Sequence, residues 1–144
     1  METPKFELKD VFAVIDSGDL SRIWFPVEAK SVRAVVAYFS LVASQRMEPD
    51  AAVDFILKGI KTLTSTDFVH RRVLYDDPEH IADVYAKEIG GSSWYIKFRL
   101  DDDGDLEEVS FHPPRNEVTT AKGLKIKPGE IVYEEMRKMW VKRP

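Results

Sequence analysis

Three histidines, at positions 70, 80 and 112, are the side chains of this 144-residue sequence whose ordinary pKa lies nearest neutrality, and two of them sit where cations gather. His70 is followed directly by Arg71 and Arg72. His112 closes a run in which Val109 and Phe111 alternate with Glu108, Ser110 and His112. Just upstream, period-two alternation puts Trp94, Ile96, Phe98 and Leu100 on one face of a strand and Tyr95, Lys97 and Arg99 on the other. If the two polar sets share a face, His112 lies across from Tyr95 or Lys97. Such a set suits the cutting of RNA by side chains alone. One group takes the proton of a 2′-hydroxyl, another protonates the departing 5′-oxygen, and cations hold the charge that builds on phosphorus. His70, His112, Tyr95 and Lys97 are the candidate catalytic residues, and Arg71, Arg72, Arg99 and Ser110 the candidate substrate contacts.

Each has a plainer reading. His70 suits a helix end, where it satisfies carbonyls, and His112, just before Pro113, suits the surface end of a strand. Tyr95, Lys97 and Arg99 are what many solvent-facing strands carry. His80, beside Asp76, Asp77 and Glu79, reads as a solvated loop residue. The acidic run 101–105 lacks the later glutamate of a calcium loop and reads as a charged hairpin tip. No cysteine is present, so thiolate chemistry and a disulfide framework are excluded, and a structural zinc site is not expected. No metal or other cofactor is expected.

The elements that must position these residues follow from periodicity. Leu8, Val11, Phe12 and Ile15 recur at helical spacing before Gly18, which predicts a helix over 7–17. A long helix is predicted over 28–46. A third opens at Pro49 and ends near Gly59, with Val53, Phe55, Ile56, Leu57 and Ile60 as its apolar positions. Thr64 and Asp67 have the spacing of a capping box, so 67–73 is expected to be a further short helix with His70 at its end. From Asp83 the period changes to two, which predicts strands over 83–89, 93–100 and 106–112, the last ended by Pro113 and Pro114. A short strand over 123–127 and a helix over 130–140, laid against the sheet, complete the expectation. The fold class is therefore α+β: N-terminal helices packed on a small antiparallel sheet, in one domain spanning 1–144.

Composition narrows the function classes. A chain that is 44% hydrophobic and 32% charged can build a core, and its net charge of −4 argues against general coating of nucleic acid while leaving room for a local basic patch. The acidic N-terminus has no apolar stretch of signal-peptide type, and no apolar run is long enough to cross a membrane, so a cytoplasmic protein without membrane contact is expected. Of the aromatics, Trp24, Phe25, Tyr38, Phe39, Trp94 and Trp140 are expected mostly in the core, with Trp24 and Phe25 as an alternative partner anchor.

The blocks Thr64-Ser65-Thr66-Asp67-Phe68, Asp83-Val84-Tyr85, Trp94-Tyr95-Ile96-Lys97 and Val109-Ser110-Phe111-His112 resemble, in this order and at like spacing, those of the MqsR family of bacterial toxins. The resemblance covers 7–112 and leaves 113–144 as a C-terminal extension. It implies a fold like that of the RelE-type endoribonucleases, ribosome-independent cleavage of single-stranded mRNA, and restraint by a cognate antitoxin. By position, the family's functional lysines fall on His70 and His112, its tyrosine on Tyr95 and its glutamine on Ala82. Lysine to histidine keeps proton-transfer capacity, whereas alanine removes the glutamine's contact. Three functions remain open: an MqsR-like endoribonuclease toxin, a catalytically silent binding module on the same fold (immunity, antitoxin or inhibitor protein), and a different small hydrolase or nucleic-acid accessory protein.

Overall fold

The computed structural model describes residues 2–25 and 30–128. Helices α1 (Leu8–Asp16), α2 (Lys30–Val42) and α3 (Pro49–Ile60) precede four strands, β1 (Phe68–Leu74), β2 (Asp77–Ile89), β3 (Ser92–Leu100) and β4 (Leu106–His112). The strands form an antiparallel sheet in the order β1-β2-β3-β4, and a ribbon of β5 (Val118–Thr119) and β6 (Lys125–Ile126) follows. The class is α+β. Among the described residues no helix is long and apolar enough to cross a membrane.

The helices form where the periodicity places them. In α1, Val11 and Val14 are buried, and Gly18 takes a positive φ just past the helix end, where a glycine is least strained. Within the described residues α2 runs over 30–42 and stops short of position 46. Ser44 adopts φ 49° there, and Gln45 N–H turns back to the Phe39 carbonyl. Proline opens α3, and the helix ends at Ile60, one residue past Gly59. A Cβ at position 59 would lie 3.0 Å from the ring of Phe111, so this glycine lets the helix approach the sheet closely.

The expected helix over 67–73 is a strand. Thr64 and Asp67 do form a capping box, but it encloses a single 3₁₀ turn, Ser65–Asp67, and the chain then extends into β1. Strand β2 begins at Asp77, six residues before the expected start, so His80 lies in a strand and not in a loop. Its Nδ1 bonds the Asp77 carboxylate at 2.7 Å. The short strand expected over 123–127 is β6, paired with β5. The helix expected over 130–140, with Trp140, lies outside the described residues.

One face of the sheet is the core. Trp94, Ile96, Phe98 and Phe111 are fully buried there with Val35, Ile56 and Ile60 of the helices. Trp94 lies at the centre, with Tyr38 and Phe111 each 4.9 Å and Phe55 5.6 Å from its ring, and its indole N–H donates to the Ile89 carbonyl at 3.2 Å. The outer edges of the sheet are occupied from within the chain. Along β4, Trp24 N–H donates to the Leu106 carbonyl at 2.7 Å, and the buried Ser31 hydroxyl donates to the Val109 carbonyl at 3.1 Å while accepting Phe111 N–H at 2.9 Å. Along β1, Arg71 N–H donates to the Glu2 carboxylate and Ala121 N–H to the Phe68 carbonyl. The run 101–105 is the β3–β4 turn. The Asp101 carboxylate accepts the N–H groups of Asp103 and Asp105, each at 2.9 Å, and so closes the turn.

Ser31→Ala leaves two buried backbone groups without their partner, so it is expected to cost about 1–3 kcal/mol. A urea melt should show a lower midpoint at unchanged slope. An unchanged midpoint would mean that water replaces the hydroxyl.

Candidate active site

With Trp94, Ile96 and Phe98 turned inward, alternation commits Tyr95, Lys97 and Arg99 to the opposite face. Strand pairing carries that face across the sheet. His70 pairs with Val84, Val84 with Lys97, and Lys97 with Ser110, so one row crosses all four strands. In the next row Ala86 pairs with Tyr95, and Tyr95 with His112. The β2 members of this face, Ala82, Val84 and Ala86, are small and fully buried. They form an apolar floor between polar strands.

A cleft of about 330 Å³ opens on this face. Arg72, Tyr95, Lys97, Ser110 and His112 line one side, and residues 114–118 form the other wall. The His112 and Tyr95 rings stack with centroids 5.0 Å apart at 18°. His112 Nδ1 donates to the Pro113 carbonyl at 2.8 Å, and since a carbonyl only accepts, the neutral ring carries its lone pair on Nε2. Burial pushes the His112 pKa down, the Pro113 carbonyl opposes that, and the nearby Lys97 ammonium lowers it further. The ring therefore favours its neutral, basic form. Lys97 also has a lowered pKa, first because it is partly buried and then because the Arg72 guanidinium is close, with Glu108 pulling the other way. Among the described residues neither Lys97 nor Arg72 has a salt-bridge partner. Two close cations with no salt bridge, one of them half-buried, stand in a cleft whose other wall carries Arg115 and Glu117, and such a site can hold an anion.

Three of the expected residues, His70, Arg71 and Arg99, do not line this cleft. His70 lies on the same row as Lys97 but on the outer strand, two strand spacings or roughly 10 Å away, exposed and bonded through Nδ1 to the Arg71 carbonyl. Arg71 pairs with Asp83 and so faces the helix side, where its Nε donates to the Thr3 carbonyl at 2.8 Å. The Asp83 carboxylate accepts Lys5 and Phe6 N–H, each at 2.9 Å, and fastens the same N-terminal arm. Arg99 is separated from the cleft by a bulge in β4. Lys97 pairs with Ser110 but Arg99 with Glu107, because Glu108, at φ 57°, is one residue too many. Arg99 is buried against the Glu107 carboxylate and lines a second, acidic hollow with His80 and residues 101–103. Ala82 offers no polar atom. The wall over 114–118, with Arg115, was not legible in the sequence, and only its place after Pro113-Pro114 hinted that the chain turns back over the face.

Neither the models of known protein families nor the curated proteins include a match to this chain. Among the described residues, no three His, Asp or Glu side chains are grouped to hold a metal ion.

If the Lys97 ammonium depresses His112, Lys97→Met should raise the His112 pKa, because removing a nearby positive charge favours protonation. The C–H resonances of His112 in a proton NMR titration read this directly. An unmoved pKa would show burial alone to be the cause.

Proposed function

We propose that the chain is a metal-independent endoribonuclease of single-stranded RNA, acting as the toxin of a toxin–antitoxin pair on an MqsR-like fold. The observation that carries the reading is the pair of cations, Lys97 and Arg72, without a salt bridge among the described residues, beside a half-buried His112 stacked on Tyr95. Of the sequence blocks that resemble the family, Val84, Tyr95, Lys97, Ser110 and His112 lie on this face.

The roles follow from position. His112 Nε2 accepts the proton of the 2′-hydroxyl, whose oxygen then attacks phosphorus. Lys97 and Arg72 hold the charge of the pentavalent state, and Ser110 supplies a hydroxyl beside them. As the P–O5′ bond breaks, the departing oxygen takes a proton from Lys97, the nearer donor with the lowered pKa, leaving a 2′,3′-cyclic phosphate and a 5′-hydroxyl. Tyr95 holds the His112 ring and offers a face to a base. His70, on the outer strand, contacts the strand of RNA away from the scissile bond. The reading as a silent binding module has one observation in its favour, the apolar Ala82 where the resemblance puts a glutamine.

Purified protein incubated with a defined single-stranded RNA in EDTA is expected to cut it. His112→Ala should slow cleavage about 10²–10⁴-fold, in the range of lost acid–base catalysis. The acid limb of the rate profile should fall below histidine's ordinary pKa, since His112 stays neutral further down. Expression of the wild type should arrest bacterial growth and His112→Ala should relieve it. Binding without cleavage by folded wild type would replace the nuclease with the binding module.

A further inference from the structure

The turn between β1 and β2 carries an arrangement that its sequence does not require. Tyr75 and Asp76 both adopt positive φ, 56° and 53°, a conformation that turns of this kind normally fill with glycine or asparagine. A tyrosine there is strained, and strain of this kind persists where surrounding contacts hold it. The contact is visible: the Tyr75 hydroxyl donates to the Glu108 carboxylate at 2.7 Å. Glu108 belongs to β4, at the far side of the sheet, and is itself the positive-φ residue of the bulge. Tyr75 thus reaches from the β1–β2 turn across to β4, the residue 73% exposed and its ring centroid 6.2 Å from that of His80, edge to face. Glu108 is also the acidic group whose charge acts on Lys97. The tethered ring therefore stands outside the lining of the cleft, on the side of the bulge away from Tyr95 and His112 and beside His80 of the acidic hollow, with Lys97 between.

We propose that Tyr75 is a second base-stacking platform, so that single-stranded RNA is held at two aromatic points on either side of the Lys97–Arg72 phosphate site. This rests on the reading of the cleft as a ribonuclease site and names how it selects its substrate. An unpaired base offers a flat face to each ring, a duplex offers none, and an RNA too short to span both rings uses only one. The bond to Glu108 fixes the platform: the carboxylate keeps the Tyr75 hydroxyl protonated, and the bulge sets where the ring lies. Tyr75 is a positioning residue for substrate and takes no part in proton transfer.

The test compares wild type, Tyr75→Phe and Tyr75→Gly on a dinucleotide and on longer single-stranded oligonucleotides, by fluorescence anisotropy and steady-state cleavage, with thermal melts of each. Tyr75→Gly relieves the positive φ and should melt at or above the wild-type temperature. It should nevertheless bind the longer RNA about ten- to a hundredfold more weakly, through KM and not kcat, with the dinucleotide unaffected. Tyr75→Phe keeps the ring and should lose less. Equal binding of the longer RNA by Tyr75→Gly and wild type overturns the platform while leaving the cleft's chemistry intact, as does equal loss on the dinucleotide. A wild type that neither binds nor cuts RNA overturns the underlying reading, and this inference with it.

Discussion

The packing of Trp94 against Tyr38, Phe55 and Phe111 is the contact on which the remaining structure depends. These rings meet edge-on or tilted, the arrangement that aromatic quadrupoles favour, and Trp94 has its N–H satisfied as well. Once Trp94 faces the helices, a strand has no freedom left: Ile96 and Phe98 follow it inward, and Tyr95 and Lys97 are turned out. Strand pairing then brings Ser110 and His112 alongside. The chemistry of the outer face is in this sense a by-product of how the inner face is filled.

What the sequence made legible is what depends on a single period. The first and third helices, the β3–β4 hairpin and the sharing of a face by Tyr95, Lys97, Ser110 and His112 were all readable, because each rests on alternation within one element. Strand β1 was not. Its residues 70–73 are all exposed, so it lacks the alternation that marks a half-buried strand, and the capping box ahead of it gave a true signal for only one turn. Arg71 and Arg99 lie outside the cleft for a different reason. Arg71 depends on where the N-terminal arm lies, and Arg99 on one extra residue in a neighbouring strand. Both are long-range facts that no local pattern carries. The wall over 114–118 belongs to the same class.

Glu108 links these parts. The bulge breaks the outer face into two hollows of different character, one where Lys97 and Arg72 stand without a salt bridge and one rich in carboxylates around Arg99. An acidic protein can thereby keep a local cationic site: Glu79, Asp101, Asp102, Asp103 and Glu107 gather in the second hollow, while Glu117 stands among three cations in the lining of the cleft. Net charge describes the chain poorly at the scale of one phosphate.

The occupied edges of the sheet have a consequence of another kind. An open edge strand is a template for further strands, whether from a partner peptide that extends the sheet or from other copies that stack into aggregates. Here Trp24 and Ser31 take backbone groups of β4, while Glu2 and Ala121 take groups of β1. Sheet extension must first displace these segments of the chain. At the bonded positions, pairing through the edges competes with covalent neighbours that are present at high effective concentration in every molecule.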